Sequence, residues 1–164
     1  MALSKQAAQK IVDVVAGDAR CRKAIEPNPE AIYLAPGATW ALEFTGTAGA
    51  VRNMAMIAMG KGQGDPDFDE KICLGIAERT VTAIHAAMKA GRLPEVRSCS
   101  SIHRVRWGIH HEATWVRMPD DTEYVFDWHA TLRVHDPAIS KVPDWMDGRS
   151  SVNFVLFQGF QKAA

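Results

Sequence analysis

The sequence predicts an α+β fold: N-terminal helices and a central Cys-bearing helix packed on a C-terminal antiparallel β-sheet. Three observations lead there. Up to about residue 90 the apolar residues fall mostly at helical spacing. Beyond residue 100, four segments read as strands, two of them joined by a turn around Pro119-Asp-Asp-Thr122. The length, 164 residues, suits one domain over residues 1–164, long enough to bury roughly 70 % of its unfolded surface without staples.

Each element has its own signal. Ser4 can cap a first helix whose apolar face is Ala7, Ala8, Ile11, Val12, Val14 and Val15, and Gly17 stops it. A second helix, Ala19–Ile25, ends ahead of Pro27 and Pro29. Residues 31–34 and 39–44 read as short extended pieces around the Pro36-Gly37 turn. Residues 48–59 carry Val51, Met54, Ile57 and Ala58 at helical spacing, and a polar loop with Gly60, Gly62 and Gly64 follows. Asp67 or Asp69 then caps a long helix with Cys73, Ala77, Val81, Ile84 and Met88 on one face, ended by Gly91. Strands are expected at residues 102–107, 111–118, 123–132 and 152–161.

Charge and composition exclude several classes of function. Nineteen Lys and Arg balance nineteen Asp and Glu, so no broad positive field draws the chain to nucleic acid. No run of about 18 apolar residues is present, so no membrane span is expected. The start lacks the basic and apolar blocks of a secretory signal, which predicts a protein cytoplasmic as synthesised, exported if at all by a route that reads no such signal. Cys21, Cys73 and Cys99 do not make a disulfide framework. No repeat or cofactor-binding signature stands out, and no cofactor is expected.

The chemistry gathers around Cys73. It falls early in a helix, after a glycine-rich loop, where the helix dipole and free backbone N–H groups favour a reactive thiolate. A nucleophilic cysteine needs a base, usually His, and a group to orient that base. His111 opens a strand and Asp127 lies on the return strand of the same hairpin, so all three roles are filled in order. A cysteine on an apolar helix face is, taken alone, more often a small buried hydrophobe. The ordered partners set Cys73 apart from Cys99 and from Cys21, although the basic neighbours Arg20, Arg22 and Lys23 would favour a thiolate at Cys21 too.

Cys73 on a helix, the exit Ala90-Gly-Arg-Leu-Pro-Glu-Val-Arg97, and the run from His111-Glu-Ala-Thr-Trp115 to Tyr124-Val-Phe-Asp127 together resemble the transglutaminase-like core of the papain-like cysteine hydrolases. The resemblance covers residues 62–132. It implies a papain-like arrangement in which the helix opened by the nucleophile Cys73 packs on an antiparallel sheet carrying the base His111 and the orienting Asp127. Two features depart from the pattern: Trp128 rather than Pro follows Asp127, and Leu74 follows Cys73. No Gln stands just before Cys73, which leaves Gln63 as the candidate oxyanion donor, while Trp115 and Trp128 are candidates to shape the acyl pocket.

The hairpin leaves the choice of base open. With a two- or four-residue connection, opposed residues have numbers summing to 241, and His110 shares a face with Asp127; a three-residue connection or a bulge selects His111. Two further groups have alternative uses. His111, Asp127 and His129 could ligate a metal, though no His-Glu-x-x-His or paired-Cys spacing accompanies them. Arg97, His103, Arg104, Arg106 and Trp107 form either the solvated face of an edge strand or a groove for an anionic or polymeric substrate.

The functional expectation is a cysteine-dependent enzyme acting on an amide bond, a peptidase, amidase or glutamine deamidase, in the setting of a bacterial secreted effector toxin. Its expected partners are a peptide or protein substrate and a cognate inhibitor or immunity protein. The alternatives are a non-catalytic interaction protein of the immunity or adaptor type, and a small metal-dependent hydrolase using His111, Asp127 and His129.

Overall fold

In a computed structural model, which describes residues 3–26 and 48–149, Ser4 Oγ accepts the Ala7 N–H at 3.0 Å and starts helix α1 (Lys5–Ala16). Gly17 closes it, and Ile11, Val12 and Val15 are fully buried. Asp18 caps α2 (Ala19–Ile25) by accepting the Cys21 N–H at 3.0 Å. Helix α3 (Ala48–Ala58) follows. The extended pieces expected at 31–34 and 39–44, and the strand at 152–161, lie outside the described residues.

The long helix expected from Asp67 or Asp69 is two helices. Asp65 caps α4 (Pro66–Lys71), with Pro66 in the first turn, where its missing N–H costs nothing. The chain then becomes extended at Ile72 (φ −75°, ψ 168°), and α5 (Cys73–Lys89) begins. The break has a steric basis in Gly75, where a Cβ would stand 2.2 Å from the Asp69 carbonyl oxygen and 2.6 Å from that of Glu70. Because the chain turns there, Cys73 is the first residue of a helix and not part of its interior.

Four antiparallel strands form a meander in the order β1 (Ser98–Arg106), β2 (Ile109–Arg117), β3 (Glu123–Asp127) and β4 (Ala138–Lys141). The strand expected over 123–132 stops at Asp127, whose Oδ1 accepts the Ala130 N–H at 3.0 Å and so caps the short helix α6 (Trp128–Thr131). Strand β4 and α7 (Val142–Met146) have no counterpart in the sequence reading.

The two sheet faces carry different loads. Val116, Phe126 and Ile139 join α1, α2 and α5 in the main core. Trp128 stacks on Phe126 at 5.8 Å between ring centroids and donates its indole N–H to the Val134 carbonyl at 2.7 Å. Fully burying side chains of this size stabilises the fold by about 1.5–3 kcal/mol each. The Thr80 and Thr114 hydroxyls, 2.5 Å apart and buried, fix α5 against β2. On the opposite face a small cluster of Ala113, Val125 and Trp145 anchors α7. No helix among the described residues is long and apolar enough to cross a membrane.

Candidate active site

The β2–β3 connection decides which histidine meets Asp127. Arg117 pairs with Glu123, and the Met118 N–H donates to the Thr122 carbonyl at 2.9 Å, so residues 119–121 form a three-residue loop. Asp121 sits in its left-handed position (φ 68°). Opposed residues therefore sum to 240, and odd-numbered residues of both strands share a face. His111 Nε2 lies 2.6 Å from Asp127 Oδ2, with both side chains buried. His110 belongs to the other face, where its Nδ1 lies 3.0 Å from His103 Nε2; it borders the Cys73 cavity but makes no bond to Asp127.

Asp127 is saturated with donors. Its Oδ1 caps α6, and its Oδ2 accepts the Trp145 indole N–H at 3.0 Å as well as His111. Burial works to raise its carboxyl pKa, but the His111 charge and these hydrogen bonds hold it below the ordinary carboxylate value. For His111 the balance runs the other way. Burial alone would strip its proton; the charge and hydrogen bond of Asp127, with a further hydrogen-bonding contribution from the Cys73 thiol, push it up to about 9. Nε2 is taken by Asp127, which leaves Nδ1 for the Cys73 side of the ring.

Cys73 is half-buried at the start of α5. Its N-cap, Ile72, has no side chain able to cap, so the first N–H groups of α5 gain no side-chain acceptor from it. Behind this turn lies Arg52, 4 % exposed, which donates to the Ile25 carbonyl at 2.9 Å and to the Lys71 carbonyl. Burial lowers its pKa to about 10, against the opposing charge of Asp67. A buried guanidinium thus ties the ends of α2 and α4 together two residues ahead of Cys73.

Cys73 and His111 open into a cavity of about 120 Å³, lined also by Asn53, His129, Arg104 and Arg106. Asn53 Oδ1 and both ring nitrogens of His129 are buried and find no hydrogen-bond partner among the described residues. His129 is 4 % exposed, 5.5 Å from the His111 ring centroid, and packed against Gly49, where a Cβ would stand 2.3 Å from the imidazole. Burial, together with the charges of His111 and Arg52, lowers its pKa to about 3, so it is neutral at pH 7 despite Asp127 nearby.

Several sequence-predicted residues fall elsewhere. Gln63 lines a separate hollow with Ile72 and Leu74, not the Cys73 cavity, because the α4–α5 break turns the two apart. Trp115 lies under the Arg117 guanidinium, 5.2 Å from its ring centroid, and Trp128 is sealed in the main core; neither lines the cavity. Cys21 is fully buried and pushed up to about 12, by burial first and then by Asp18, the reverse of a reactive thiol. Cys99 is likewise buried and raised to about 12. His111, Asp127 and His129 do not form a ligand set: among the described residues no group of three His, Cys, Asp or Glu is arranged to hold a metal ion.

Three residues at the site carry no sequence-derived role: Trp145, Arg52 and Asn53. Only Trp145 had a local signal to exploit, Pro143 at a helix start. No family model matches the chain, and no curated protein and no solved structure matches it.

Proposed function

We propose that this protein is a cysteine-dependent enzyme acting on an amide bond, with Cys73 as nucleophile, His111 as its base and Asp127 as the orienting group, in a papain-like arrangement. The observation that carries the reading is the buried Asp127–His111 pair beside the half-buried Cys73 thiol, in which a histidine held at about 9 acts on a cysteine at a helix start. An imidazolium is the partner that a thiolate nucleophile needs.

In the first step the Cys73 sulfur forms a bond to the substrate carbonyl carbon, and the carbonyl oxygen takes the negative charge. The Cys73 N–H at the start of α5 and the side-chain amide of Asn53, which lines the same cavity, are the candidate donors for it. When the C–N bond breaks, His111 gives its proton to the departing amine and a thioester is left on Cys73. Water then attacks, His111 accepts a proton from it, and the C–S bond breaks to release the acid; an amine in place of water gives transfer. Asp127 stays ionised and holds the imidazole in its reactive orientation.

The test is a phenotype. The parent chain and a Cys73→Ala variant are expressed in bacterial cytoplasm and periplasm, and growth and lysis are followed. The expected result is harm from the parent in one compartment and none from the variant at equal protein level. A variant as harmful as the parent contradicts the reading.

A further inference from the structure

The wall of the Cys73 cavity formed by β1 and β2 is cationic, and Asp127, the opposite charge that acts on Arg104, is already taken up by His111 and Trp145. Arg104 and Arg106 alternate along β1, which puts both guanidinium groups on the face that carries His111. Among the described residues that line the cavity there is no Asp or Glu. Three other arginines meet carboxylates: Arg97 pairs with Asp121, Arg117 with Glu123 and Arg149 with Asp144. Arg104 spends one arm on the Trp145 carbonyl and lies 4.5 Å over that ring. Arg106 has no carboxylate partner among the described residues; at Arg104 burial lowers the pKa first, the charge of Asp127 raises it, and that of Arg106 beside it lowers it further. Two like charges kept side by side over a cavity cost stability that an anion between them would recover.

The turn that follows shows how Arg106 is held. Trp107 and Gly108 are the two central residues of the β1–β2 hairpin, at φ 50° and 75°. That turn type prefers Asn-Gly, and a bulky side chain in its first position is strained. Trp107 is 71 % exposed, so burial does not offset the strain, yet its ring lies 4.8 Å beneath the Arg106 guanidinium and borders the cavity. A cation over an indole face is attracted to it. Gly148 completes the seat: a Cβ there would stand 1.6 Å from the Arg106 Nη1. Arg106 is thus braced between an exposed Trp and a glycine, at the mouth of the cavity that holds the thiol.

We infer that this cavity takes an acyl group bearing an anion, a carboxylate near the amide to be cleaved, seated between Arg106 and Arg104. The volume of about 120 Å³ admits a short acyl chain and not a folded segment, by that measure the room of roughly ten waters. The inference rests on Cys73 being the nucleophile, and the test separates the two ideas.

Cys73 is alkylated with iodoacetate and with iodoacetamide, reagents of nearly equal size that differ by one negative charge. In both, the thiolate sulfur forms a bond to the reagent CH₂, the C–I bond breaks and iodide leaves. Rates are read by mass spectrometry for the parent, Arg106→Gln and Arg106→Lys, with glutathione as the free thiol. The expected acetate-to-acetamide rate ratio is about tenfold above that of glutathione, falls about fivefold or more in Arg106→Gln, and is largely kept in Arg106→Lys. His111 is unchanged in these variants, so its charge cannot account for the fall. A ratio unaffected by Arg106→Gln overturns the anion seat whatever the absolute rates. Iodoacetamide reacting with the parent no faster than with glutathione overturns the nucleophile reading instead.

Discussion

Trp145 and His111 share one oxygen: the indole N–H donates to Asp127 Oδ2 at 3.0 Å, and His111 Nε2 lies 2.6 Å from that same atom. The pair of contacts fixes the carboxylate while its other oxygen caps α6. Removing the indole donor with Trp145→Phe keeps the apolar bulk and deletes one charge-assisted bond, which is expected to cost about 1.5–3 kcal/mol. Because Asp127 is held below its ordinary value, its contribution to stability is present above the carboxylate range and lost as pH falls through it. Urea unfolding of Trp145→Phe should therefore show the loss at pH 7 and a smaller loss in acid. Equal stability to the parent at pH 7 contradicts the assignment.

Gly75 controls where Cys73 sits. Gly75→Ala forces a Cβ against the Asp69 and Glu70 carbonyls, so the first turn of α5 must move. The expected cost is about 1–3 kcal/mol, with slower alkylation of Cys73. Gly62→Ala is the matched control, since a Cβ there meets nothing within 4 Å. Thermal melting of the two variants should separate them clearly, and a Gly75→Ala protein as stable as Gly62→Ala would contradict the close packing of α4 on α5.

The buried histidines predict opposite pH limbs. His111, raised to about 9, contributes stability that is full below its ordinary pKa of 6.5 and is lost as pH climbs through 9. His129, lowered to about 3, contributes stability that is present above 6.5 and is lost as pH falls toward 3. In His129→Phe the acid limb between pH 6 and 4.5 should be shallower than in the parent by about 1.4 kcal/mol per pH unit, the slope of one proton. Denaturant midpoints across that window measure it. An unchanged slope means that His129 does not fold as a neutral, unpartnered imidazole.

Much of the fold was legible because its signals are local. Ser4, Asp18 and Gly17 set helix ends through their own hydrogen bonds. The site was legible only in part. The choice between His110 and His111 turned on loop length, which depends on Asp121 adopting a left-handed backbone and is not written in any periodicity. The break at Ile72 arises from the approach of α4 to Gly75, a tertiary contact, and the end of β3 from Asp127 turning its carboxylate to α6. Arg52 and Asn53 reach the site from α3 and Trp145 from α7, so sequence proximity to Cys73 or His111 could not reveal them.

The relay itself is tested most directly by the rate at which iodoacetamide alkylates Cys73 at pH 7, compared with glutathione and with a His111→Gln variant. Cys21 and Cys99 are buried and raised to about 12, so native labelling reports on Cys73. The account predicts that Cys73 reacts about tenfold or more faster than glutathione and that His111→Gln abolishes the advantage. A parent Cys73 that reacts no faster than glutathione, or one equally fast without His111, would contradict it.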